Sequence, residues 1–187
     1  MKTKHNLQVD FVHNDRALVE KAMKGNRQAQ YRLYQNYSRG MFSICWRMLN
    51  NREEAEDILQ ESFTDAFLKL HTFRFESTFG AWLKQIVVNK CINAIKKKKI
   101  DIEYQENVFK KDLPDESMDE DELIYEVEKV RKAIQLLPDG YRIILSLYLL
   151  EGYDHEEIAE ILNISESTSK TQYMRAKNKI KEILKSA

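Results

Sequence analysis

The chain reads as all-α: two small helical domains joined by an acidic flexible linker. Three observations predict this. Gly 5 and Pro 2 leave few breaks in 187 residues. The stretches between the breaks carry apolar residues every three or four positions, the spacing of a helix with one buried face. Between 100 and 128, twelve acids stand against two bases, a net charge of −10 with few apolar residues between them. Such a stretch cannot bury a core of its own.

The first domain is expected over 15–99. A helix from Asp15 to Lys24 stops at Gly25. Asn26 caps the next helix, which carries Ala29, Leu33, Tyr37, Ile44, Met48 and Leu49 on its apolar side. Asn51 caps a third helix, with Ala55, Ile58, Leu59, Ser62, Phe63, Ala66, Phe67 and Leu70 at helical spacing. A short aromatic loop, His71 to Thr78, leads to a fourth helix from Phe79 to Lys98, burying Leu83, Ile86, Val87, Cys91, Ala94 and Ile95.

The linker is placed at 100–118, where Pro114 stops any helix. The second domain, 119–187, holds helices over roughly 120–136, 139–150, 155–162 and 165–185, with breaks at Pro138 and Gly152. Its last two helices form a helix-turn-helix. Ile158, Ala159 and Leu162 share a face, Asn163 can take the left-handed turn conformation, and Ser165 is a side-chain cap. From Ser165 to the end, six bases oppose two acids, a net +4. Ser169, Tyr173, Ala176, Ile180, Ile183 and Leu184 make the inward stripe. Ser167, Thr168, Lys170, Thr171, Met174 and Arg175 point outward near the helix start, where a recognition helix meets base edges. The same pattern also occurs in motifs that bind protein or are structural.

The zero net charge hides this sorting into blocks. Cys45 and Cys91 sit among apolar residues and fit no disulfide or metal spacing, so they read as buried reduced thiols. The first fifteen residues lack the apolar core of a signal peptide, and no apolar run approaches the roughly 20 residues of a membrane helix. A cytoplasmic location is expected.

Two further constellations could carry function. The third helix packs Glu53, Glu54, Glu56, Asp57, Glu61 and Asp65 with no base between Glu53 and Asp65. Asp57, Glu61 and Asp65 recur at every fourth position and line one stripe. This is a solvated face, a docking surface for a basic partner, or a divalent-metal site; one helix stripe encloses a metal poorly. The loop Phe73-Arg74-Phe75-Glu76-Ser77-Thr78-Phe79 precedes Trp82, Gln85, Asn89 and Lys96, on one stripe of a segment (84–99) with net charge +6. Aromatics beside a basic, amide-bearing helix suit unstacked DNA bases, with lysines on the phosphates. The same rings could equally be core. No phosphate-binding glycine loop, paired-cysteine metal motif or Ser/His/Asp arrangement occurs, and no enzyme, cofactor, metal or small-molecule substrate is expected.

These residues resemble, over about Asp15 to Leu184, the extracytoplasmic-function sigma factors of bacterial RNA polymerase. Glu54-Ala55-Glu56-Asp57-Ile58-Leu59-Gln60-Glu61-Ser62-Phe63 resembles the family's region-two helix. The resemblance implies that Glu54, Asp57, Gln60 and Glu61 dock on the β′ clamp coiled coil of core polymerase, whose β subunit is a further implied contact. The segment from Phe73 to Leu83 is similar to the loop that captures a flipped base of the minus-ten element, and Ile86-Val87-Val88-Asn89-Lys90 resembles the helix that reads it. Phe73, Arg74, Phe75, Ser77, Trp82, Gln85, Asn89 and Lys90 become the implied minus-ten residues. Leu136-Leu137-Pro138 and Glu157-Ile158-Ala159 through Arg175-Ala176-Lys177 match region four, which reads the minus-thirty-five element through Ser167, Thr168, Lys170, Thr171, Met174 and Arg175. Promoter DNA and an anti-sigma factor are the other implied partners.

The chain departs from the family at three places. Ser169 stands where valine is frequent, so its hydroxyl needs a partner, expected to be a backbone carbonyl one turn back. Phe75 stands where many members have glycine. Gln172 replaces a frequent arginine, which predicts fewer phosphate contacts. Two other classes use the same features. A stand-alone operator-binding regulator predicts tight DNA binding without polymerase, and a metal nuclease predicts cleavage in magnesium or manganese.

Overall fold

The computed structural model describes residues 15–98 and 122–186. The expected linker, 100–118, lies outside the described residues, as does the expected start of the second domain at 119. The chain separates into two compact units, Met1–Ala94 and Ile95–Ala187, with the division inside the last turn of the fourth helix. Among the described residues the regular structure is helical throughout.

The first unit holds α1 (15–23), α2 (Arg27–Leu49), α3 (Arg52–Leu68), a 3₁₀ turn (Leu70–Thr72) and α4 (Phe79–Lys97). Short polar residues set the boundaries. Gly25 takes φ +80 after α1. The Asn26 side chain then accepts from the Ala29 N–H at 3.0 Å. Asn50 closes α2 in the left-handed conformation at φ +51. Its neighbour Asn51 starts α3 by accepting from the Glu54 N–H at 3.2 Å. Thr78 begins α4, its hydroxyl accepting from the Ala81 N–H at 3.2 Å.

Leu33, Met48, Leu83 and Val87 are wholly removed from solvent. Truncating any one to alanine costs about 2–5 kcal/mol on general grounds. Val88 and Ile92 are buried as well, so the apolar face of α4 is wider than the expected stripe. Cys45 and Cys91 are buried and stand outside any disulfide. Gly80 is required by contact: a Cβ there would lie 2.7 Å from Cε1 of Tyr37. The Tyr37 hydroxyl donates to Asp15. Burial first, and then the Asp15 carboxylate, raise that phenol well above its ordinary range.

The second unit holds α5 (Glu122–Gln135), α6 (Asp139–Leu145), a π-helical turn (Ser146–Glu151), α7 (His155–Leu162) and α8 (Glu166–Ser186). The sequence predicts one uniform helix over 139–150; the chain instead widens at Ser146. It closes at Gly152, φ +86, whose N–H donates to the Leu147 carbonyl. Ile134, Leu137, Leu145 and Ala176 form a core cluster, covered by Tyr141, Ile180 and Ile183. Arg142 is buried at the Pro138 turn, donating to the Leu137 carbonyl at 3.0 Å and to Asp139 at 2.6 Å.

Candidate functional site

Three surfaces carry the residues singled out from sequence. The first is the outer face of α3. Asn51 and the acids Glu53 and Glu54 open the helix, which suits its positive N-terminal end. Asp57, Gln60 and Glu61 are exposed and Glu54 is half-buried. No base interrupts this acidic run in sequence, yet α4 supplies one in space. The Lys90 ammonium lies 3.2 Å from Glu61 and 3.1 Å from Asp65. Lys69 adds a looser contact to Asp65 at 3.8 Å. The bond from Lys90 holds the Asp65 carboxyl below its ordinary range, against a smaller effect of burial. On Lys90 burial alone would lower the pKa, but its bonds to Asp65 and Glu61 prevail and raise it. Glu61 and Lys90, assigned to different partners from sequence, are thus brought together.

The second surface is the loop into α4. Phe73 is buried, 6% exposed, and forms the floor of an aromatic nest. Its ring centroid lies 4.9 Å from Phe75, 6.2 Å from Phe79 and 5.2 Å from Trp82. Phe79 is buried too. Of the two readings of the rings, core or base platform, Phe73 and Phe79 take the first. Phe75 and Trp82 are half-buried, leaving part of each ring in solvent. Phe75 sits at φ +59, the left-handed region that suits glycine. A phenylalanine there is uncommon and strained unless its surroundings hold it. Phe73 packs on one side, and the Arg16 guanidinium lies 4.9 Å from the ring centroid. Arg74, Ser77, Gln85 and Asn89 are exposed, with Gln85 and Asn89 one turn apart on α4.

The third surface is the helix-turn-helix. Asp154 and Glu157 form a capping box at the start of α7. Asn163 makes the turn at φ +56. The Ser165 hydroxyl then accepts from the Thr168 N–H at 3.0 Å. The Ser165 and Thr168 hydroxyls also bond each other at 2.8 Å, so Thr168 is partly engaged in the cap and half-buried. Ser167, Lys170, Thr171, Met174 and Arg175 are exposed. Lys170 pairs with Glu166 one turn back at 2.7 Å. That bond raises the Lys170 pKa.

Two expectations on α8 change. Ser169 is fully buried, but its partner is the His155 ring, Nδ1 to Oγ 2.9 Å, and not a carbonyl one turn back. The ring of Tyr148 stacks on His155 at 4.3 Å and 12°, and Tyr173 lies 5.6 Å from it. Gln172 is buried, 7% exposed, which removes it from the outward face. Reasoning from sequence passed over Arg16, His155 and Asp154. The D-x-x-E spacing before α7 was a readable signal for the last. The contacts of Arg16 and His155 are long-range and leave no pattern in the chain.

Two family profiles match the chain: Sigma-70 region 2 over residues 33–100, and Sigma-70, region 4 over 128–180. The ECF RNA polymerase sigma factor SigW of Bacillus subtilis is 30% identical over 177 residues, covering 89% of this chain and 95% of that protein. The ECF RNA polymerase sigma-E factor of Haemophilus influenzae is 31% identical over 176 residues, covering 89% and 93%. Among solved structures, the sigma factor RpoE in complex with the anti-sigma factor NepR from Bartonella quintana aligns with a TM-score of 0.50 at 22% identity, covering 83% of this chain and 96% of that one. CnrH in complex with the cytosolic domain of CnrY aligns at 0.51 and 22%, covering 92% and 97%. At that identity the structural likeness speaks for the fold alone.

Proposed function

This chain belongs to the ECF family of RNA polymerase sigma factors, and from that premise we propose how its three surfaces divide the work of initiation. It binds core RNA polymerase and directs promoter-specific transcription. By family it is an initiation factor; its own contribution is binding, with no catalytic chemistry. Its place of action is the cytoplasm, where polymerase and promoter meet. An anti-sigma factor is its inhibitory partner.

Glu54, Asp57, Gln60 and Glu61 present carboxylates and an amide to a basic face of the polymerase. Lys170, Thr171, Met174 and Arg175, with Ser167 at the helix start, read the upstream element in the major groove. Downstream, Gln85 and Asn89 offer amides to base edges. Trp82 and Phe75 offer ring faces to an extruded base, with Arg74 and Ser77 beside them. Phe73 supports the loop from below. Stacking contributes about 1–3 kcal/mol per base, of the order of the cost of unstacking a step. Trapping one base therefore moves the duplex toward its open form.

The observation that carries this reading is the division of α8. Ser169, Gln172 and Ala176 are buried while Lys170, Thr171, Met174 and Arg175 stay in solvent, on a helix whose start is capped by Ser165. The test is in vitro transcription with core polymerase on a pool of random promoter fragments. Defined transcripts that need this protein are expected, enriched for two spaced elements. Unchanged start sites, with no binding to core polymerase, would overturn the proposal.

A further inference from the structure

Lys90 is placed between two tasks. Its backbone belongs to α4, next to Asn89, but its ammonium is held by Glu61 and Asp65 of α3 at 3.2 and 3.1 Å. Its side chain is 22% exposed, against 63% for Glu61. The stem is therefore packed, and the head lies on the acidic face from the protein side. With Lys69 also on Asp65, two ammonium groups face two carboxylates, so the cluster holds no surplus cation for a phosphate. Equally, a carboxylate that holds Lys90 is less available to a basic group from outside. Ion pairs of this exposure are weak and screened by salt, so an external partner can displace one.

We propose that Lys90 is an intramolecular occupant of the acidic face: docking of polymerase on Glu61 displaces its ammonium, which then turns to a promoter phosphate. The inference rests on the docking role proposed above for α3. It makes Lys90 a positioning residue that couples two binding events, since whatever relieves one side of the bridge favours the other. The coupling is reciprocal by linkage, so DNA that captures Lys90 also strengthens docking. It predicts weak DNA binding by the free protein, because a lysine on the reading helix is neutralised until the polymerase arrives.

The test uses the full-length protein and core polymerase. Lys90→Met keeps the packed stem and removes the charge. It is expected to bind core polymerase about two- to ten-fold more tightly in the absence of DNA, while forming fewer open complexes per bound polymerase. A merely structural lysine would weaken both when lost, so unchanged or weaker polymerase binding by a folded Lys90→Met overturns the proposal. Asp65→Asn supplies an independent arm should Lys90→Met fail to fold. It loosens Lys90 without removing it, and should raise the affinity of the free protein for a forked downstream-element fragment a few-fold; no change overturns the proposal. Asp57→Lys separates the two levels of the argument. If it leaves polymerase binding intact, the docking role of α3 falls and takes the Lys90 coupling with it. If it abolishes binding while Lys90→Met does not tighten it, the coupling alone falls.

Discussion

The imidazole of His155 and the hydroxyl of Ser169 are hydrogen-bonded at 2.9 Å, tying the first residue of α7 to the inward stripe of the recognition helix. Ser169 is flanked by Thr168 and Lys170 and has no access to solvent. Its hydroxyl therefore depends on this one ring, which is partly buried with Tyr148 stacked against its face.

Removing His155 leaves the Ser169 hydroxyl short of a bond in a dry site, and removing Ser169 takes a bond from a ring that is only partly buried. His155→Phe, which keeps the stack, and Ser169→Ala are each expected to lower unfolding free energy by about 1–3 kcal/mol. The double variant should cost clearly less than the sum, because no group is then left unsatisfied. Denaturant unfolding of all four proteins measures the coupling. Strict additivity would show that the bond contributes nothing.

The same ring gives a pH dependence. Burial, and then the Lys170 charge, lower the His155 pKa from its ordinary value of 6.5, with Glu166 and Asp154 opposing in part. The hydroxyls of Tyr148 and Tyr173 are the other polar groups on rings packed against it. The unfolded chain thus takes the proton first as pH falls. Stability from this group is complete above 6.5 and is lost as pH falls through the folded value. Wild type should therefore lose more stability than His155→Phe between about pH 7.5 and 5.5. Parallel stability curves for the two proteins would remove His155 as the source.

Much of the helical frame was legible because its boundaries are chemical and local. Asn26, Asn51, Asn163 and Ser165 act within three residues of where they stand in the chain, and each takes the cap or turn expected of it. The π-helical turn after Leu145 was not, since helical spacing alone does not separate an α turn from a widened one. The site was legible as sets of residues but not as pairings. Lys90 meets Glu61 across 29 residues and His155 meets Ser169 across 14. Nothing in local spacing announces such contacts. The departure at Ser169 did announce that a buried hydroxyl needed a partner; only the fold shows which.

Gly80 makes a sharper claim than its place near a helix start suggests. Its missing Cβ leaves room for Tyr37, 2.7 Å from where that atom would sit. Tyr37 cannot yield easily, since it bonds Asp15 and packs edge-on against Phe79 at 5.3 Å. Gly80→Ala should destabilise by about 1–3 kcal/mol despite the better helix propensity of alanine. Tyr37→Leu in the same background should return part of the loss. A neutral or stabilising Gly80→Ala in thermal melting would show that the ring moves freely.

Phe75 separates backbone strain from ring function. At φ +59 an asparagine is tolerated better than most residues, so Phe75→Asn relaxes the backbone while it deletes the ring that Phe73 and Arg16 hold. Stability should change by no more than about 1 kcal/mol, the relief and the lost contact offsetting each other. Capture of unpaired DNA should fall by about 1–3 kcal/mol if the ring stacks on a base. Binding to a fragment single-stranded across the downstream element, compared with the fully paired duplex, reads this directly. A loss equal on both substrates would assign Phe75 to the fold of the loop and not to base capture.

Arg175 tests the outer face of α8. It is exposed two turns beyond the start of the helix, on the flank of the buried stripe that holds Gln172 and Ala176. If its guanidinium makes a bidentate contact to a base, Arg175→Ala weakens binding to the preferred upstream element by about 1–3 kcal/mol and relaxes the preference at one base pair. If it meets only a phosphate, the loss is similar on every sequence and the salt dependence of binding becomes shallower by about one counterion. Affinities of polymerase carrying each protein, measured across single-base variants of the element and at several salt concentrations, separate the two. An unchanged affinity on all of them would take Arg175 out of the reading surface and leave Lys170 and Thr171 to carry it.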